Sequence, residues 1–266
     1  MNFTRYSTLF ALSFLLLVAP FTRATVVEVR TVLGDFQVNL FDDTTPETVE
    51  NFLEYVNSGA YANNVIHRGV PNFIIQMGGF QYNNSIPFDT VPTGVPVVNE
   101  PVLSNVRGTL AMAKLSGDPN SATSQFFVNL ANNSGNLDVQ NGGFTVFGQV
   151  LDNGMEVVDA IAELRRVNLD SGTFSEVPLR NFSDLDVAQG TIPDGDNFVL
   201  VTDVVVIDNT RITNPNLNPV RNTLLNAPPT PTPNNPSSDG GGGGSTSVFF
   251  LGLMGVIAYL RMRFNR

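Results

Sequence analysis

The sequence predicts a mainly β domain over residues 25–210, built as a closed barrel or a sandwich whose openings are covered by helices. Short apolar runs recur along this stretch, each bounded by Gly, Pro, Asn or Asp, as strands of an antiparallel sheet are. Two segments carry the helical period of apolar residues, and we find no internal repeat.

Residues 26–30 and 36–41 are β-rich and separated by Leu33-Gly34-Asp35, which reads as a hairpin. Thr45 is placed to cap a helix, Pro46 suits its first position and Gly59 stops it. Between them Val49, Phe52, Leu53 and Val56 share one face. Strands are expected at 73–77, 109–113, 126–130 and 145–150. A second helix is expected at 155–166, with Val157, Val158, Ile161 and Leu164 inward, and a last strand at 198–207. Residues 167–197, rich in Asp, Gly and Ser, read as a long solvated loop without the regular oxygen-ligand spacing of a calcium site.

Composition excludes much chemistry. The 266 residues contain no cysteine, no tryptophan and one histidine. Disulfides, thiolate metal sites, cysteine nucleophiles and multi-histidine centres are therefore ruled out. Net charge is −10, with 14 basic against 24 acidic residues, so a nucleic-acid-binding face is not expected.

The ends read as targeting segments. Residues 1–24 carry Arg5, an apolar stretch from Leu9 to Ala19, and Thr22-Arg23-Ala24, with small residues where a signal peptidase reads. This is a secretory signal cut after Ala24, the alternative being a retained anchor. Residues 211–247 form a Pro-, Gly- and Ser-rich linker, stiff where proline dominates and limp at Gly240–Gly244. An apolar block at 248–260 follows, then Arg261, Arg263 and Arg266. The block is short against the ~20 residues of a spanning helix, and its arginines favour a cytoplasmic C-terminus with the body outside. This tail resembles the GlyGly-CTERM sorting tails of Gram-negative bacteria, which imply a rhomboid-type sorting protease; a plain tail anchor is the alternative. Without both ends the body is near −15, which disfavours anionic lipid.

Two segments carry the chemistry. One runs Ile66-His67-Arg68-Gly69-Val70-Pro71-Asn72-Phe73-Ile74-Ile75-Gln76-Met77-Gly78-Gly79-Phe80, the other Asp118-Pro119-Asn120-Ser121-Ala122-Thr123-Ser124-Gln125-Phe126-Phe127-Val128-Asn129. Phe73, Ile74, Phe127 and Leu137 suffice to line a small dry pocket, with Arg68 and Gln76 as its polar groups. No nucleophile, metal or acid–base pair accompanies them. Rotation about an amide bond needs none of these.

The two segments resemble the signature stretches of the cyclophilins, peptidyl-prolyl cis–trans isomerases, and the wording Ser-Ala-Thr-Ser-Gln-Phe-Phe is similar to exported bacterial members. The resemblance spans about 26–207 and includes Arg107-Gly108-Thr109-Leu110-Ala111-Met112-Ala113, Leu137-Asp138 and Val146-Phe147-Gly148. It implies a closed eight-stranded antiparallel barrel with two capping helices, working without cofactor or metal, as a monomer, on proline-containing polypeptides. It implies a catalytic role for Arg68. Substrate contacts are implied for Phe73, Ile74, Gln76, Ala113, Lys114, Gln125, Phe127, Leu137 and Phe144.

Several positions depart from the family's pattern. Asn136 stands where cyclosporin-sensitive members have tryptophan, so weak drug binding is expected. Phe144 replaces a histidine or tyrosine, Met77 a glycine, Gly69 a β-branched residue and Ile66 a phenylalanine, changes expected to lower turnover. Lys114 takes the place of an asparagine. His67 reads as a structural residue. Phe126 reads as core, because adjacent strand residues face opposite sides. Two readings follow: an active isomerase for exported proteins, or a binding module of the same fold with weak or no catalysis.

Overall fold

A computed structural model describes residues 24–170, 172–210, 214 and 217–225. The predicted signal segment, most of the linker and the C-terminal apolar block lie outside them. The strands and helices, in chain order, are β1 (Val26–Thr31), β2 (Gly34–Leu40), α1 (Pro46–Asn57), β3 (Asn64–Val65), β4 (Arg68–Val70), β5 (Ile74–Met77), β6 (Phe80–Gln81), β7 (Asp89–Thr90), β8 (Thr109–Met112), β9 (Phe126–Asn129), α2 (Ser134–Leu137), β10 (Val146–Val150), α3 (Gly154–Glu163), β11 (Arg165–Val167), β12 (Val177–Leu179), α4 (Asp184–Gln189) and β13 (Leu200–Asp208).

The fold is mainly β, a curled antiparallel sheet in the order β4-β5-β9-β8-β10-β2-β1-β13-β3-β6-β7. Eight strands were expected; among the described residues this sheet has eleven, three of which, β3, β6 and β7, are only two residues long. The order has β4 and β7 at its ends, yet residues 64–70 touch both of its halves. Ile66 donates to the Val199 carbonyl at 3.0 Å, and Arg68 pairs with Gln76 of β5.

Helix α1 begins at Pro46, but the Thr45 side chain makes no capping bond. Glu100 does that work from 52 residues away, its Oε2 accepting from the backbone N–H of Thr48 at 2.9 Å and from its hydroxyl at 2.7 Å. An orphan N–H of the first turn is thereby satisfied by an acid suited to the helix dipole. The buried face is Val49, Phe52, Tyr55 and Val56, with Leu53 only partly covered. Phe52 meets the rings of Tyr61, Phe126 and Phe147 at 5.0–5.4 Å, which fastens α1 to the sheet interior. Helix α3 buries Val158 and Ile161 but ends at Glu163, and Arg165 and Arg166, expected in the helix, turn into β11. Among the described residues no helix is long and apolar enough to cross a membrane.

The segment 167–197, expected to be a solvated loop, instead folds. β11 and β12 form a hairpin. Ser183 caps α4 in a reciprocal pair with Asp186. Val177, Leu179 and Phe182 are buried with Val65, Phe80, Phe88 and Phe198, and Phe174 packs against them. The polar residues masked this apolar set, with exposed Asp170, Asp184, Asp194 and Asp196 interspersed along the segment.

His67 lies under this cluster, fully buried, its ring edge-on to Phe80 at 4.9 Å. Burial pushes its pKa from 6.5 down to about 3, the neighbouring Arg68 charge acting in the same direction. The unfolded chain takes up a proton below pH 6.5 that the folded chain refuses until about pH 3. Stability should therefore fall with pH across that window by up to ~1.4 kcal/mol per unit. Urea unfolding of wild type and His67→Phe from pH 7.5 to 4.5 checks this. The wild type should lose stability relative to the variant below pH 6.5, and parallel curves would refute the neutral buried histidine.

Candidate functional site

Strand pairing lays one row of side chains across the sheet. Arg68 stands opposite Gln76, Gln76 opposite Phe127, Phe127 opposite Ala111, and Ala111 opposite Val146. Opposed residues face the same side, so Arg68, Gln76 and Phe127 share one face of the sheet. The alternate residues Ile75, Met77, Phe126, Val128, Leu110 and Met112 fill the other, interior face. Phe126 is core as expected from adjacency. Met77 is core too, fully buried on the far side from Gln76.

On the first face lies an open cleft. Eight predicted substrate contacts line it: Phe73, Ile74, Gln76, Ala113, Lys114, Phe127, Leu137 and Phe144. The Phe127 and Phe144 rings meet edge-on at 5.9 Å. Arg68 and Gln125 are not part of this lining. Arg68 flanks it as the cross-strand neighbour of Gln76. Gln125 accepts a hydrogen bond from Gln76 Nε2 at 2.9 Å. Ser116, Gln140 and Asn141 complete the wall and were not anticipated. Asn136 is exposed on α2.

Burial lowers the Arg68 pKa from its ordinary value, and Glu176 works against that shift. The Glu176 carboxylate stands 3.7 Å from Arg68 Nε. The backbone fixes this pairing, because the N–H of Gly69 donates to the Glu176 carbonyl at 2.8 Å. Glu176 belongs to the folded insert, and nothing in the linear order joins it to Arg68.

The opposite wall is held by polar bonds that apolar patterning cannot reveal. Lys114 Nζ donates to the carbonyls of Asn141 at 3.0 Å and Gly143 at 2.6 Å, and sits 4.8 Å from the Phe144 ring centre. Burial lowers its pKa to about 8. Asp138, next to Leu137, is buried and accepts from the Ser104 hydroxyl and from the backbone and side-chain N–H groups of Asn105. Asn105 also donates to the Phe144 carbonyl at 3.0 Å. Asn133 donates to the Phe73 carbonyl at 2.8 Å.

Residues 26–183 match the family described as "Cyclophilin type peptidyl-prolyl cis-trans isomerase/CLD". A peptidyl-prolyl cis-trans isomerase of Acinetobacter baylyi is 44% identical over 143 residues, covering 53% of this chain and 73% of that protein. The peptidyl-prolyl cis-trans isomerase B of Escherichia coli is 41% identical over 159 residues, covering 58% and 92%. A crystal structure of a cyclophilin type peptidyl-prolyl cis-trans isomerase from Cryptosporidium parvum superposes with a TM-score of 0.50 at 24% identity, covering 70% of this chain and 99% of that one.

Asp138→Ala strips acceptors from several buried donors, and such unpaired groups cost about 1–3 kcal/mol each. Urea denaturation should show a loss of about 2–4 kcal/mol. A loss below ~0.5 kcal/mol, the range of an inert surface change, would mean that the carboxylate does not hold the cleft wall.

Proposed function

The chain belongs to the cyclophilin-type peptidyl-prolyl cis–trans isomerase family, and we propose that it turns X–Pro bonds of exported proteins in this cleft with Arg68 as the catalytic group. Its activity is peptidyl-prolyl cis–trans isomerisation, and its substrates are proline-containing polypeptides. The observation that carries the role of Arg68 is its place across from Gln76, beside a cleft walled by Phe73, Phe127, Leu137 and Phe144.

Amide resonance sets a barrier of about 18–20 kcal/mol to rotation. With the proline ring held among the apolar side chains, the preceding residue turns against it. In the twisted state the proline nitrogen loses conjugation and becomes a hydrogen-bond acceptor. The Arg68 guanidinium donates to it there and not in the planar ground state, so it lowers the barrier selectively. Arginine keeps its charge at a half-buried position where another base would lose it. Glu176 limits the guanidinium's freedom, and the bonded Gln76–Gln125 pair supplies amide donors for the backbone on the other side of the rotating bond. Removing ~7 kcal/mol from the barrier would accelerate the reaction about 10⁵-fold.

The N-terminal 24 residues support export, with cleavage after Ala24. The order of spacer, glycine run, apolar block and arginines supports a GlyGly-CTERM-like tail. This tail holds the domain, as a monomer, on the periplasmic side of the inner membrane or at the surface of a Gram-negative cell, until a sorting protease releases it.

Proline-limited refolding of a chain with X–Pro bonds measures the activity. Arg68→Ala should lower kcat/KM at least 100-fold with the fold retained by circular dichroism, and Arg68→Lys should recover little of it. An Arg68→Ala enzyme within threefold of wild type would remove Arg68 from catalysis. Intact-mass measurement of exported protein should place the N-terminus at Thr25, and a retained Met1 would overturn the proposed cleavage.

A further inference from the structure

The predicted linker does not leave the domain at residue 210. Arg221 pairs antiparallel with Leu103. Ser104 donates to the Val220 carbonyl at 2.8 Å, and Asn222 to the Val102 carbonyl at 2.9 Å. Asn222 Nδ2 then bonds the carbonyl of Asp138 at 2.9 Å. Its Oδ1 accepts from the N–H groups of Leu224 and Leu225, turning the chain just after this contact.

The strap therefore ends against the loop that builds one wall of the cleft. Asp138 follows Leu137 and Gly143 precedes Phe144, and both Leu137 and Phe144 line the cleft. A Cβ on Gly143 would stand 3.4 Å from Asn222 Nδ2. Direction matters as well. Pairing from Ser104 to Val102 carries the strap toward Asn99, whose side chain bonds the carbonyls of Gly142 and Gly143 at 2.9 Å, beside the cleft residues Gln140 and Asn141.

Three residues past Leu225 the sequence reads Pro228-Pro229-Thr230-Pro231-Thr232-Pro233-Asn234-Asn235-Pro236, uncharged throughout. At about 3.1 Å per residue, extended proline-rich chain reaches ~19 Å from Asn222 by Pro228 and ~34 Å by Pro233. Short tethers give effective concentrations on the order of millimolar, sufficient for a weak peptide site. The absence of charge avoids repulsion from an acidic domain and suits apolar walls.

We propose that the X–Pro bonds of residues 227–236 are an intramolecular substrate of the cleft, presented to it by the 217–225 strap. This rests on the isomerase reading above. Bound, the segment competes with external peptides and its X–Pro bonds turn at the catalysed rate; unbound, they turn at the uncatalysed rate.

The test uses the full chain in detergent, with proline labelled for NMR exchange spectroscopy and an external X–Pro peptide assayed in parallel. Uncatalysed X–Pro exchange takes tens to hundreds of seconds. In the wild type the tail should exchange at least 100-fold faster, unchanged on tenfold dilution, and Arg68→Ala should return it to the uncatalysed rate. Replacing Pro228, Pro229, Pro231, Pro233 and Pro236 by Ala should raise kcat/KM for the external peptide twofold or more. Slow tail exchange, or acceleration that falls on dilution, overturns the proposal while leaving the isomerase intact if the external peptide is turned over. An external peptide that is not accelerated overturns the isomerase reading itself.

Discussion

The structure depends on one constraint: strands β5, β8 and β9 are buried on both faces. One face of each packs the interior of the curled sheet and the other floors the cleft, so neither is free to vary alone. A one-residue slip of β9 against its neighbours would exchange Phe126 for Phe127 and carry a core ring into the site. The register that stabilises the core is thus the same register that aligns Arg68, Gln76 and Phe127. It also accounts for Met77, which the interior absorbs without touching the site.

A floor alone makes no pocket, and the wall facing it is the short helix α2 and the largely irregular chain that joins it to β10. Irregular chain buries backbone polar groups without a ladder to satisfy them. Lys114, Asn105 and Asn133 supply missing partners, each bonding a carbonyl of a segment that carries an apolar cleft residue, and Asp138, beside Leu137, accepts from the N–H of Asn105. Polar groups in this protein therefore act mainly as fasteners for apolar ones. Lys114 illustrates the trade: its ammonium is held under the Phe144 ring at some desolvation cost, and in return the loop keeps its ring in the cleft.

Much of this was legible in the sequence, because period and punctuation report local structure. The hairpin, both long helices and the strands carrying the site residues fall within a few positions of where alternation and Gly, Pro and Asn boundaries put them. Eight of the ten expected site residues share one cleft. What escaped is non-local. Glu100 caps α1 in place of Thr45 across 52 residues, and Glu176 reaches Arg68 from the far side of the chain. The insert read as loop because Asp, Gly and Ser are interspersed among its apolar residues, although Phe174, Val177, Leu179 and Phe182 carry the packing. Residues 217–225 read as linker because a strap of a few backbone bonds leaves no periodic trace.

The same insert has a consequence for the protein's life in a crowded compartment. A sheet with open ends offers unpaired backbone groups on which a foreign extended chain can grow, and an enzyme whose substrates are proline-containing polypeptides meets extended chain in its own reaction. At one end, β4 gives the N–H of Gly69 to Glu176, and the ring of Pro178, a residue without a donor, lies against it. At the other, β7 is two exposed residues long, too short to template anything. The protein can hold a client in its cleft without recruiting it as an additional strand, a safeguard against co-aggregation with the substrates it serves.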